Sequence, residues 1–178
     1  MSDEFVALPS VISQEKLMVM VDLAEAAPQG AFAEVGVYQG GSASILYAIA
    51  QRDRRALYLY DTFEGIPFSD PAHGDAHLVG DFSDCSMAAV QSALPDAIIE
   101  KGVFPDCRLP TEPVAFVHAD ADQYQSTRAV CQYFPPLMTH GGMILFDDYY
   151  ALDGCRRAVD EFLPQREILP DGRALVRF

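Results

Sequence analysis

Basic residues are scarce in this 178-residue chain: 12 Lys and Arg stand against 26 Asp and Glu, a formal charge of −14. A field of that sign repels phosphate backbones, which argues against a nucleic-acid partner. No apolar run reaches the roughly 18 residues needed to cross a bilayer, so no membrane partner is expected. The N-terminal MSDEFVALPS carries acids where a secretory leader carries a basic stretch, and a cytoplasmic protein is expected. Cysteine is confined to Cys85, Cys107, Cys131 and Cys155, at separations of 22, 24 and 24 residues. None of these makes a CxxC metal clip, and a reducing compartment disfavours a disulfide framework, so they read as core or surface filler. Internal repeats and low-complexity tracts are also missing. What remains is ordinary globular material: 50% of the residues are hydrophobic, enough for a chain of this length to bury a core without staples. One domain over 1–178 is expected, with 1–30 as an N-terminal helical segment.

Apolar residues recur at helical spacing through 13–27 (Leu17, Met20, Val21, Ala24), with Ser13 placed to cap the first turn. The pattern then alternates. Strands are expected at 31–37, 56–61, 97–102, 113–120 and 143–148, with helices near 41–52, 83–94, 126–134 and 155–163 between or after them. Residues 165–170 and 173–178, joined by Asp171-Gly172, read as a closing hairpin. Strands alternating with helices imply parallel βαβ units and a doubly wound α/β sheet, here of seven strands with the last antiparallel. The stretch 62–82 has no period and is long enough to be a functional loop.

Two candidate sites stand at strand ends. The first is EVGVYQGGS (34–42), where glycines permit a tight turn and a close approach of backbone to ligand. A purely structural βα turn uses glycine too, but Asp61 ends the next strand, 25 positions after Gly36, where an acid can accept ribose hydroxyls. The spacing is GxxxG rather than the GxGxxG that seats a pyrophosphate. That favours a nucleoside without phosphates, of which S-adenosylmethionine is the common one. Glu34 stands where it can hold a loop amide or a ligand ammonium. The second site is Asp120-Ala121-Asp122 with Asp147-Asp148, ending strands that the doubly wound order makes neighbours. Two bare carboxylates about 4 Å apart repel by roughly 4 kcal/mol at an effective dielectric near 20. The group must therefore take up protons, spread into solvent or bind a hard cation, Mg²⁺ before Ca²⁺ or Mn²⁺. Surface acids capping helices are the plainer alternative, Asp122 above all. In an extended strand end, Asp120 and Asp122 point the same way.

At these residues the chain resembles the macrocin O-methyltransferase-like family, which methylates sugar hydroxyls in antibiotic biosynthesis. The matching segments are EVGVYQGGSA (34–43), YDTFEGIP (60–67), KGVFPDCRLP (101–110), DADQYQST (120–127) and GGMILFDDYYALDGCRRAVDEF (141–162). The resemblance implies a donor site lined by Glu34, Gly36 and Gly40, with Ser42 opening the helix. Asp61 would hold the ribose, and Gly102, Val103 and Phe104 would lie near the adenine. It implies Asp120, Asp147 and Asp148 as Mg²⁺ ligands and Asp122 as the general base toward a small-molecule hydroxyl acceptor. The family usually carries a longer N-terminal region over the acceptor. A homodimer in which a second subunit completes that pocket is therefore expected, through the apolar face of helix 13–27 and Tyr149-Tyr150. His73 and His77, in the loop after Asp61, are either a second base or metal neighbour, or solvated loop histidines. The rival readings are a nicotinamide-dependent oxidoreductase, a phosphorylatable receiver domain, and a methyltransferase-fold binding module without turnover. The missing GxGxxG opposes the first. The glycine-rich end of strand one and the want of a lysine after strand five oppose the second.

Overall fold

The computed structural model describes residues 8–178; the first seven residues of the expected N-terminal segment lie outside it. Its strands are β1 (Ala31–Val35), β2 (Leu57–Asp61), β3 (Ile98–Lys101), β4 (Val114–Ala119), β5 (Met138–Phe146), β6 (Glu167–Ile168) and β7 (Ala174–Arg177). They form one sheet in the order β3-β2-β1-β4-β5-β7-β6. The first five run parallel, and β7 pairs antiparallel with both β5 and β6. The doubly wound seven-stranded expectation, with an antiparallel last strand, holds. No helix among the described residues is long and apolar enough to cross a membrane.

Among the described residues five α-helices cover the sheet: α1 (Gln14–Ala26), α2 (Gly41–Asp53), α3 (Met87–Ala93), α4 (Tyr124–Tyr133) and α5 (Asp153–Phe162). Every residue of β1 and of β4 is buried, as expected of parallel strands covered on both faces. Phe32, Leu59, Phe116 and Leu145 meet Met20, Leu46 and Val90 on the α1–α2–α3 side. Val35, Val117, Ile144 and Phe146 meet Val130 and Val159 on the α4–α5 side. Ser13 caps α1, its hydroxyl accepting from Lys16 N at 3.3 Å. The four cysteines are free thiols, with Cys131 and Cys155 in the core.

Several boundaries differ from the pattern. The glycine pair Gly141-Gly142 does not precede β5 but lies within it: Val114 pairs with Met138 and Phe116 with Met143, so the ladder skips across an irregularity that contains both glycines. Helix α3 starts at Met87 rather than 83, because Ser86 caps it, accepting from Ala89 N. Strand β6 is cut to two residues. Of the aromatic pair expected at a second-subunit contact, Tyr149 is buried and bonded to Asp160, whereas Tyr150 is exposed, as are Val11 and Met18.

Register carries the fold into the site. The ladders continue past the strands: Gly36 N donates to Tyr60 O, Asp120 N to Val35 O, and Asp147 N to Ala119 O, at 2.9, 2.9 and 3.0 Å. The ends of β1, β4 and β5 are thus level. At the centre Gly36, with φ +90, faces the Asp120 carbonyl, and a Cβ there would come within 1.8 Å of that oxygen. Gly36→Ala combines a backbone clash with a left-handed conformation and should cost about 3–5 kcal/mol. Urea unfolding checks this; a loss under about 1 kcal/mol would mean that the two strand ends part easily.

Candidate functional site

A cleft of about 430 Å³ opens over these level strand ends, within the usual range for small-ligand pockets of roughly 300–1,000 Å³. Gly36, Ser42, Asp61, Gly102, Val103, Phe104, Asp120, Asp122, Asp147 and Asp148 all line it. The structure therefore brings together ten of the twelve residues expected at the two sites. Glu34 and Gly40 are not among its lining residues. Glu34 is fully buried behind the cleft, its Oε1 2.7 Å from His118 Nδ1. Gly40 caps α2 with φ +89 and packs under Leu8 and Val90.

Asp61 organises the first site. Its Oδ2 accepts from Val37 N and Tyr38 N at 2.7 and 2.8 Å, and its Oδ1 from Phe63 N at 2.7 Å. The acid at the end of β2 thus fixes the glycine turn after β1 and starts the loop that follows. Opposite, residues 9–13 form a wall of the cleft, and Pro9 and Ser10 run so close over Gly41 that a Cβ there would lie 2.5 Å from Pro9 O.

The expected carboxylate group divides in two. Asp120, Asp122 and Asp148 converge, with one oxygen from each within 4.8 Å of the others. Asp122 is not extended; its φ is +58, so a left-handed kink rather than strand alternation turns its carboxylate into the cluster. Burial, followed by the charges of Asp147 and Asp148, raises Asp120 well above the ordinary carboxylate range. Burial and the neighbouring Asp148 push Asp122 up to about 8. These three carboxyls offer a hard oxygen donor set with no Lys or Arg side chain among them, and they fit a divalent cation such as Mg²⁺.

Asp147 turns away. It continues the alternation that puts Met143 and Leu145 on the α1 side, where Lys16 Nζ reaches its Oδ2 at 2.7 Å. Arg173 Nη1 meets its Oδ1 at 3.2 Å, and His118 Nε2 stands 3.5 Å from the same oxygen. Burial works against the charge on Asp147, but His118 and Lys16 outweigh it and hold the carboxyl below its usual range. His118 is likewise opposed by burial, yet Asp147 and Glu34 at its two nitrogens push it up to about 10.

The loop 62–82 is anchored rather than free. Asp75, nearly buried, accepts from Tyr124 N at 2.7 Å and from Asp70 N at 2.8 Å, tying the loop to the start of α4. His77 lines the cleft, with Nε2 3.7 Å from Asp122 Oδ1, while His73 pairs with Asp70 and stacks on Tyr124. Lys16, Asp75 and Arg173 were not legible as site residues: each acts through a partner at least 26 positions away. Only the Ser13 cap hinted at where Lys16 would begin its helix.

The macrocin-O-methyltransferase (TylF) family matches residues 14–173. The 8-demethyl-8-(2,3-dimethoxy-alpha-L-rhamnosyl)-tetracenomycin-C 4'-O-methyltransferase of Streptomyces olivaceus is 29% identical over 161 residues, covering 79% of this chain and 60% of that protein. The chain spans about three fifths of the length of the curated relatives it matches. Among solved structures, the O-methyltransferase NovP superposes with a TM-score of 0.78 at 22% identity, covering 94% of this chain and 81% of that one. The methyltransferase PaMTH1 of Podospora anserina, solved with SAH bound, gives 0.64 at 17% identity over 94% and 80%.

The raised carboxyls give the protein a pH signature. Asp122, ordinarily near 3.8 and about 8 when folded, binds more protons in the folded than in the unfolded state between those values. Its contribution is therefore full below about pH 4 and is lost as the pH rises toward about 8. Denaturation midpoints measured in EDTA from about pH 5 to 8 should fall, and Asp122→Asn should fall less. Parallel profiles for the two proteins would contradict this.

Proposed function

The chain belongs to the macrocin O-methyltransferase family, and on that premise we propose that it transfers a methyl group from S-adenosylmethionine to a hydroxyl of a sugar or related small natural product. The observation that carries this reading is the adjacency, in one cleft, of the glycine turn fixed by Asp61 and the Asp120–Asp122–Asp148 cluster. The first suits a nucleoside, and the second suits activation of a hydroxyl. The relative from S. olivaceus is named for O-methyl transfer to a rhamnosyl tetracenomycin, and the SAH-bound neighbour shares the fold. Nothing in the cleft favours a nicotinamide-dependent oxidoreductase.

On this reading the adenine lies against Gly102, Val103 and Phe104. A carboxylate has about four lone-pair sites. Asp61 gives three to the backbone, which leaves one for a ribose hydroxyl. Ser42 stands at the start of α2 on the same wall, while Glu34 and Gly40 support the turn from behind. Asp120 and Asp148 would hold Mg²⁺, with Asp147 at their side. The chemistry such a cation supplies is a lowered pKa for a coordinated hydroxyl. Asp122 then takes the proton of the acceptor hydroxyl as its oxygen attacks the methyl carbon. The C–S bond breaks, and its electron pair returns to sulfur as the neutral thioether. Burial and Asp148 make Asp122 a stronger base than a solvated aspartate. Holding oxygen, methyl and sulfur in line supplies much of the rate.

Calorimetry with S-adenosylhomocysteine tests donor binding, and transfer of labelled methyl to a glycoside hydroxyl tests turnover. Asp122→Asn should lower kcat by roughly 10²–10⁴-fold, with donor affinity little changed. Asp120→Asn should lose Mg²⁺ binding and turnover together. Donor binding without transfer to any glycoside would leave a binding module as the better reading.

A further inference from the structure

The cleft is lined by five aspartates, Asp61, Asp120, Asp122, Asp147 and Asp148, and by a single Lys or Arg side chain among the described residues, Lys16. Its ammonium makes its hydrogen bonds to Asp147 alone among those residues, at 2.7 Å to Oδ2 and 3.2 Å to the carbonyl. The second cation on Asp147 is of a different kind. Arg173 is fully buried, and besides Asp147 it donates to the Lys16 carbonyl at 2.8 Å and to Asp171 Oδ2 at 3.0 and 2.6 Å. Four fixed donor bonds and complete enclosure make Arg173 immobile. Lys16 has a 25% exposed side chain on a flexible stem, with one carboxylate to hold.

We infer that Lys16 is the resident counter-ion of the acidic edge: its ammonium occupies Asp147 Oδ2, and a divalent cation bound at the carboxylate cluster gains that oxygen only by displacing it. Asp147 is then shared. Its Oδ1 stays with Arg173, and its Oδ2 passes between an ammonium from α1 and a divalent ion on Asp120 and Asp148. Both cations cannot use one carboxylate oxygen without facing each other at close range, where like charges repel strongly at an interior dielectric. Lys16 therefore acts on the cation through Asp147 and is a positioning residue. It weakens divalent binding and keeps Asp147 neutralised in its place. The inference rests on the cation site proposed above.

The test is a Mg²⁺ titration by calorimetry of the whole chain and of Lys16→Met, Lys16→Arg, Asp147→Asn and the Lys16→Met/Asp147→Asn double variant. Lys16→Met should bind Mg²⁺ about tenfold more tightly, equal to about 1.4 kcal/mol. Lys16→Arg, which keeps the charge, should stay near the parent value. In the Asp147→Asn background, Lys16→Met should change nothing, since the shared oxygen is gone. A role limited to holding α1 in place would instead weaken Mg²⁺ binding in Lys16→Met, and that result, or an unchanged affinity, overturns the inference. Should Lys16→Met fail to fold, Lys16→Gln removes the charge with a polar tip and reads the same quantity. Mg²⁺ binding that Asp120→Asn abolishes and Lys16→Met leaves alone keeps the cation site and rejects the role of Lys16. No binding by the parent chain rejects both.

Discussion

The parallel hydrogen-bond ladder is the constraint on which the site depends. Because Asp120 N is bonded to Val35 O and Asp147 N to Ala119 O, three strands stop at one height and their next residues must share one small space. That space admits no side chain at Gly36, whose missing Cβ makes room for the Asp120 carbonyl. The glycine turn and the acidic cluster are therefore two consequences of a single alignment, and a shift of one residue in either ladder would separate them.

Acids brought together in this way are dealt with by two different means. Asp147 faces α1 and is neutralised by Lys16, Arg173 and His118, which hold its charge even under burial. Asp120, Asp122 and Asp148 face the cleft without a Lys or Arg side chain among them, and two of them hold their protons more tightly in compensation. The same residue type thus serves as a fixed anion in one place and as a carboxyl that holds its proton in the other. The difference is set by which neighbours the register supplies.

Much of this was legible in the sequence, for reasons that particular elements show. Strand β4 reads as a continuous apolar run because both its faces are buried, and Asp171-Gly172 marks the hairpin because a tight turn needs those residues. The pairing of Asp120 with Asp148 followed from strand order. The diversion of Asp147 did not, since it depends on a lysine 131 positions earlier and an arginine 26 positions later. Nor did the kink at Asp122, whose positive φ breaks the alternation of an extended strand end. Within 62–82, Asp75 does the anchoring through backbone amides, and such bonds leave no periodic trace.

Arg173 donates to the carbonyl of Lys16 across 157 positions, so the wall of the cleft nearest α1 is closed by the last strand of the sheet. During synthesis the glycine turn, the aspartates and the helices can all emerge and begin to pack, while Asp147 still waits for its buried guanidinium. Until β7 is added, that aspartate has only Lys16 and His118 to set against its charge beside the core. The nascent chain thus carries an acidic, half-built cleft whose α1 wall is completed only when its last strand packs.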